Sequence, residues 1–163
     1  MRLPRRPERP SVDVGPGEKL LAWARTTDGA VLAGTRDAVH LDGLRLPWEL
    51  VEAADWDRDT ELFRVSEVVT WGEARREHVF AVTEPGRFLE LVRERVTASV
   101  VLQRHVPVRG VAGLRVIARR APRGDRPVAW YIDYDEGVDP GDPEVRSVTE
   151  SALAAARGEV GQD

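Results

Sequence analysis

Residues 20–41, LLAWARTTDGAVLAGTRDAVHL, carry the strongest indication of the fold. They contain short β-like runs separated by turn residues, and the Asp-Gly pair at 28–29 is a strong hairpin signal. We therefore expect residues 20–25 to pair with residues 30–34. A second turn at 35–37 leads into a third run, so the stretch predicts an antiparallel meander.

The same pattern continues toward the C-terminus. A second Asp-Gly pair, at 42–43, reverses the chain into another short run. The stretch PWELVEAADW, residues 47–56, has some helical propensity, but the close turns on both sides favour a strand. Residues 61–69 and 77–82 alternate apolar and polar side chains, which is typical of half-buried strands.

The hydrophobic period changes after Gly86. Apolar residues recur every four positions from Phe88 to Val100, and charged residues fill the opposite face. This spacing predicts an amphipathic helix. Thr83 is the expected N-cap, and Pro85 suits the first turn because its missing N–H would have no partner there.

The C-terminal third predicts a hairpin and a second helix. Residues 114–119 and 128–134 are strand-like and are separated by a loop rich in Pro, Gly and charged residues. Asp142 is the expected helix cap and Pro143 the first helical residue, with the helix running to about Arg157.

A run of short antiparallel strands followed by one amphipathic helix resembles the pleckstrin-homology-like (PH-like) barrel, in which the helix closes one open end. Residues 20–41 resemble the opening strands of bacterial PH-like domains. LPWELVEAADW, at 46–56, resembles a characteristic strand of that fold, and RFLELVRERV, at 87–96, resembles the closing helix. The whole chain also resembles a family of short proteins from high-GC Gram-positive bacteria.

The resemblance covers about half of the chain and implies a PH-like antiparallel β-barrel capped by one amphipathic helix, at 18–104. The C-terminal β-hairpin and helix, at 105–163, lie outside that pattern and are expected to pack on the barrel as an accessory unit, and the Pro/Gly-rich residues 1–17 are expected to be a disordered basic tail. Together these elements predict an α+β fold. Family members that bind phosphoinositides use basic residues in the first hairpin loop. Here that loop, residues 26–29, contains no basic residue and has only Arg25 nearby.

Composition limits the chemistry. The chain has no cysteine, which excludes disulfides and thiolate sites and fits a reducing cytoplasm. No signal peptide or membrane span is expected, because no sufficiently long apolar run occurs. Every basic residue except Lys19 is arginine. This usage is expected of a GC-rich genome, so arginine clusters alone do not indicate phosphate sites.

The net charge of -4 is unevenly distributed. The first ten residues contain four arginines and one glutamate, whereas residues 133–163 contain nine acids and two arginines. Arg2, Arg5, Arg6 and Arg9 are therefore candidates for contact with an anionic surface.

No catalytic, cofactor-binding or metal-binding residues are predicted. His40, His78 and His105 are isolated in sequence, without the spacing of a metal site. Residues 133–144 match a calcium loop at the first, third and twelfth positions, but the fifth is Gly137 and the sixth is Val138, where that loop requires glycine. These acids are interpreted as turn residues and a helix cap. Nucleotide-binding and α/β-hydrolase motifs are absent from the sequence.

The tryptophans indicate one candidate contact. Four of them, Trp23, Trp48, Trp56 and Trp130, fall in predicted strands and are expected to pack there. Trp71 falls in a loop beside Arg75 and Arg76. These three residues are the predicted contacts for a partner.

Three functions remain open. The first is a non-catalytic module that binds a protein partner, with self-association also considered. The second is a peripheral adaptor for an anionic membrane or nucleic acid that uses the arginine-rich tail, although specific nucleic-acid binding is disfavoured because the tail lacks aromatic residues. The third is a small-ligand carrier or enzyme, which requires an internal cavity of a few hundred Å³.

Overall fold

The computed structural model describes residues 8–161. It contains three antiparallel sheets and two α-helices, which confirms the expected α+β class. The strands are β1 (Ala22–Arg25), β2 (Val31–Gly34), β3 (Ala38–Leu41), β4 (Leu44–Pro47), β5 (Val51–Asp57), β6 (Leu62–Glu67), β7 (Glu77–Ala81), β8 (Val100–Arg109), β9 (Ala112–Arg119) and β10 (Ala129–Tyr134). The helices are α1 (Gly86–Ser99) and α2 (Pro143–Val160).

The first sheet is the predicted meander, in the order β1-β2-β3-β4. Leu41 pairs with Leu44 across the second Asp-Gly pair, and both Asp42 and Gly43 have positive φ, of 50° and 93°. Two consecutive positive φ angles define the tight hairpin turn for which Asp-Gly is favoured, since its twist matches that of the strands.

The second sheet has the order β5-β6-β7. The stretch expected to be one strand from Pro47 to Trp56 is divided: residues Trp48–Leu50 form a short 3-10 helix, and β5 follows. Tertiary packing decides this difference, because the 3-10 turn places the Trp48 side chain in the core, where it is completely buried. The Trp48 indole N–H donates to the Thr35 carbonyl oxygen at 2.9 Å.

The first two sheets and α1 share one hydrophobic core, centred on Trp48, Phe63 and Phe88. The rings of Phe63 and Phe88 meet edge to face at 5.3 Å. The first two sheets also meet where the Thr27 amide, in the β1–β2 turn, donates to the carbonyl oxygen of Ala81, the last residue of β7, at 2.9 Å. No strand ladder joins β1 to β7 within residues 8–161, so the two sheets do not form a closed barrel there.

Helix α1 lies where the four-residue period predicts it, with Phe88, Leu89 and Val92 buried. Thr83 was expected as its N-cap, and this is wrong. Pro85 occupies the cap position without a side-chain cap, and the Thr83 hydroxyl instead donates to the Glu61 carboxylate at 3.4 Å. The helix ends at Ser99, so Val100 begins a strand rather than the last helical turn.

The C-terminal sheet has the order β10-β9-β8, so the expected hairpin is part of a three-stranded sheet. Strand β8 was missed because its first residues continue the apolar spacing of α1 and because it contains Pro107. Proline is tolerated there because β8 is an edge strand with a register irregularity at that point. The expected boundary between residues 104 and 105 falls inside β8.

Helix α2 covers one face of this sheet, and its residue Ala156 forms a second core with Leu114 and Val116 of β9. Its N-terminus is as predicted: Pro143 opens the helix, and the Asp142 carboxylate accepts a hydrogen bond from the Glu144 amide at 2.9 Å. The prediction that Asp142 caps this helix is therefore confirmed.

Polar contacts join the C-terminal sheet and its β9–β10 loop to the first two sheets. The Arg119 guanidinium donates to the Val51 carbonyl oxygen at 3.0 Å, and Arg123 forms an ion pair with Asp37 at 2.6 Å. The Arg119 contact places the end of β9 next to the start of β5.

Residues 8–17 contain no helix or strand. The Arg9 guanidinium donates to the Leu20 carbonyl oxygen at 2.9 Å. Just after this segment, the side chain of Glu18 is almost fully buried, and its carboxylate pairs with Arg45 at 3.1 Å and accepts a hydrogen bond from the Thr35 hydroxyl at 2.8 Å. Burial raises the pKa of Glu18, but the hydrogen bonds from Arg45 and Thr35 outweigh burial and lower it overall.

Candidate functional site

A cleft of about 230 Å³ lies between the β6–β7 loop, the start of β5 and the uncovered face of the C-terminal sheet. We call it the Trp71 cleft. It is lined by Glu52, Val68, Val69, Thr70, Trp71, Gly72, Glu73, Arg75, Ile117, Arg119, Tyr131 and Asp133.

Strand alternation explains which side chains reach the cleft from the third sheet. Successive residues of a strand point to opposite faces. On β9, Leu114, Val116 and Ala118 are buried on the side of the sheet that carries α2. Ile117 and Arg119 therefore point the other way, and Ile117 is paired directly with Tyr131 of β10.

Trp71 lies at the edge of the cleft and is 51% exposed. Its ring contacts that of Tyr134 edge to face, at 5.4 Å between centroids and 82° between planes. The loop is also closed by Glu73, whose amide donates to the Thr70 carbonyl and whose carboxylate accepts from the Thr70 amide at 3.2 Å. These contacts fix the position of a large side chain that remains open to solvent.

Arg119 forms the buried base of the cleft and is only 6% exposed. Besides the bond to Val51, its guanidinium donates to the Glu52 carbonyl oxygen at 3.4 Å. Burial lowers the pKa of Arg119 below its ordinary value, while the nearby negative charge of Glu52, and to a smaller extent that of Asp133, opposes the shift. Arginine remains charged at neutral pH, so Arg119 is a fixed positive charge.

Glu52 and Arg75 meet at the opening of the cleft. The Arg75 guanidinium donates to Oε1 of Glu52 at 3.1 Å, and the Arg75 side chain is 64% exposed. Oε2 of Glu52 is buried and has no hydrogen-bond partner among the described residues. A buried acceptor without a donor costs free energy, so a donor that reached this atom when Arg75 moved aside would be favoured.

The structure therefore brings two of the three predicted contacts together. Trp71 and Arg75 both line the cleft, whereas Arg76 does not. Arg76 is exposed and its backbone carbonyl accepts from the Glu67 amide at 2.9 Å, at the beginning of β7. Of the arginine-rich tail, Arg9 is described, while Arg2, Arg5 and Arg6 lie outside the described residues.

The sequence interpretation missed Glu52, Arg119 and Tyr131. On β9, Arg115, Ile117 and Arg119 alternate with apolar residues, and this spacing could have predicted that both arginines lie on the same face of the strand. The proximity of Arg119 to Glu52 was not predictable, because it depends on how the third sheet packs beside the second.

Two histidines form local polar pairs instead of a shared site. His78 lies 2.8 Å from the Glu67 carboxylate, and His105 lies 2.7 Å from that of Asp135. Within residues 8–161, no group of three or more His, Asp or Glu residues is arranged to hold a metal ion. In the same part of the chain, no helix has the length and apolar character needed to cross a membrane.

Comparison with known proteins gives no further guide to the cleft, since no family model, curated protein or solved structure matches this chain.

Proposed function

We propose that this chain is a non-catalytic, cytoplasmic interaction module that binds a protein partner through the Trp71 cleft. The observation that carries the proposal is the fixed but half-exposed Trp71 ring beside an exposed arginine and a cleft. Tryptophan and arginine are the residue types that contribute most often to binding energy at protein interfaces.

A PH-like architecture is part of the proposal. Four meander strands, three further strands and then α1 follow the order that the resemblance implies, and α1 packs against the core that both sheets share. The likeness to short proteins of high-GC Gram-positive bacteria remains part of the same proposal. In this account, the C-terminal sheet and α2 are an accessory unit that builds one wall of the cleft.

The charged groups of the cleft favour recognition over turnover. Arg119 is held by backbone carbonyls, and Glu52 is held by Arg75. The cleft presents paired charged groups and an aromatic edge, which suit a complementary protein surface.

The interior of the first core does not favour the small-ligand alternative. Its largest side chains, Trp48, Phe63 and Phe88, are completely buried and fill the space between the two sheets and α1. The Trp71 cleft, at about 230 Å³, is smaller than typical small-molecule sites, which span roughly 300–1,000 Å³. Two open surface clefts beside Gly15 and Pro16, of about 610 and 730 Å³, fall within that range.

The proposal is tested by affinity capture from a lysate of the source organism. Four tagged forms are compared: the full chain, a form without residues 1–10, Trp71→Ala, and the control Leu44→Ala, which removes an exposed apolar side chain at the first residue of β4. We expect a stoichiometric protein that is retained by the full chain, the truncated form and Leu44→Ala and lost with Trp71→Ala.

Two results would contradict the proposal. A partner that Trp71→Ala retains at full yield would place the interface elsewhere. Lipid or nucleic acid that is captured by the full chain and lost with residues 1–10 would support the adaptor function instead.

A further inference from the structure

The charges lining the Trp71 cleft are unbalanced. The cleft contains three carboxylates, those of Glu52, Glu73 and Asp133, and two guanidiniums, those of Arg75 and Arg119, so one negative charge is in excess. A partner group of positive charge is therefore favoured over one of negative charge.

The two arginines leave one buried carboxylate oxygen of the cleft without a hydrogen-bond donor among the described residues. Arg119 donates to the backbone carbonyls of Val51 and Glu52. Arg75 reaches only Oε1 of Glu52 and leaves Oε2 without a donor among the described residues. An ion pair with one partner as exposed as Arg75 is weak, so a guanidinium from outside can compete for Glu52.

Aromatic side chains stand beside these carboxylates. Trp71 and Tyr131 both line the cleft, and a cation over an aromatic ring is attracted to it. Arginine suits such a site better than lysine, because its planar guanidinium can bind both oxygens of a carboxylate and also stack on a ring. A volume of about 230 Å³ matches one long side chain rather than a whole ligand.

We propose that the Trp71 cleft is a pocket for one arginine side chain of the protein partner, with Glu52 as its main acceptor and Trp71 as its aromatic wall. The inference rests on the proposed function and specifies its chemistry. In the complex, Arg75 moves off Glu52, and the incoming guanidinium donates to the carboxylate, including the oxygen that has no donor in the free chain.

The probe is the capped tripeptide acetyl-Gly-Arg-Gly-amide, titrated into the full-length, ¹⁵N-labelled chain. The indole N–H signal of Trp71 is assigned by its absence in Trp71→Phe. We expect this signal to shift saturably with the arginine peptide. The matched peptide with citrulline, which has nearly the same shape without the charge, should bind at least about ten-fold more weakly, as expected for the loss of a charged hydrogen bond.

Three variants identify the acceptor. Glu52→Gln should weaken binding of the arginine peptide about ten-fold or more, and Asp133→Asn should weaken it by a smaller factor. Glu90→Gln, on the exposed face of α1, should leave it unchanged. If Glu52→Gln loses the native NMR spectrum, Asp133→Asn and the citrulline peptide decide the result.

The inference is overturned if the citrulline peptide binds within about two-fold of the arginine peptide, or if a natively folded Glu52→Gln binds as the parent does. This failure is distinguishable from failure of the proposed function. A partner whose capture depends on Trp71 but not on an arginine would leave the interaction module standing and remove only the arginine pocket.

Discussion

The Arg119 guanidinium and the Val51 carbonyl oxygen are joined by a hydrogen bond of 3.0 Å that spans 68 residues of the chain. It connects the last residue of β9, the central strand of the third sheet, to the first residue of β5. Since Glu52 follows Val51 directly, the same contact positions the carboxylate that faces the cleft. One buried arginine therefore holds the two walls of the Trp71 cleft together.

Replacing Arg119 should destabilise the protein markedly. Arg119→Ala leaves the Val51 and Glu52 carbonyls without their donor and creates a cavity beside them. We expect a loss of about 3 kcal/mol in the free energy of unfolding, measured by urea denaturation. Arg115→Ala, an exposed position on the same strand, should lose less than about 0.5 kcal/mol. Equal losses for both variants would contradict the proposed role of Arg119.

Replacing Trp48 should destabilise the protein much more than replacing Trp71. Trp48 is completely buried and donates to Thr35, so Trp48→Ala should cost about 3–5 kcal/mol of unfolding free energy. Trp71→Ala removes a half-exposed ring with one aromatic contact and should cost about 1 kcal/mol or less. Thermal and urea unfolding both measure this difference. A large loss for Trp71→Ala would identify Trp71 as a structural residue.

These two tryptophans also show which features of the fold can be predicted from local sequence patterns. The packed role of Trp48 and the exposed role of Trp71 were both predicted from their neighbours, although Trp48 lies in a 3-10 turn and not in a strand. Local signals such as the Asp-Gly turn at 42–43 and the Asp142 cap were sufficient because their geometry depends on few residues.

The remaining features depend on long-range packing. Strand β8 is specified by its pairing with β9, and its sequence contains a proline and an extension of the α1 spacing. The contact between Arg119 and Val51 depends on the placement of one sheet beside another. No local pattern encodes either relationship, which is why the cleft could be predicted only through the residues of its loop.

The cap of α2 gives a smaller and more local prediction. Asp142→Ala removes the acceptor for the Glu144 amide and should cost about 1 kcal/mol. Asp142→Asn keeps an acceptor at the same place and should cost only a few tenths of that amount. In Asp142→Ala, amide hydrogen exchange should become faster than in the parent chain, mainly in α2. Equal stability of the Ala and Asn variants would exclude the capping contact as the cause.

Because His40 is buried, we expect the free energy of unfolding to depend on pH near neutrality. It is buried on β3, and its Nε2 atom has no partner among the described residues. Burial lowers the pKa of His40 below 6.5, opposed by the charge of Glu18 and, more weakly, that of Asp13, while Arg45 lowers it further.

The unfolded chain therefore binds a proton at His40 before the folded chain does. The free energy of unfolding should fall as the pH drops through about 6.5 and level off below the folded-state pKa. His40→Leu should remove this slope, while His105→Gln, at an exposed histidine, should retain it. Urea titrations between pH 5 and 8 measure the effect, and an unchanged slope in His40→Leu would contradict it.

The most direct test of the account is a calorimetric titration of the purified, captured partner into the full chain, Trp71→Ala and Leu44→Ala. We predict one-to-one binding by the full chain and by Leu44→Ala with equal affinity. Trp71→Ala should bind at least about thirty-fold more weakly, which corresponds to a loss of about 2 kcal/mol at an interface hot spot. Equal affinity of Trp71→Ala and the full chain, with both proteins folded, would contradict the assignment of the Trp71 cleft as the binding site.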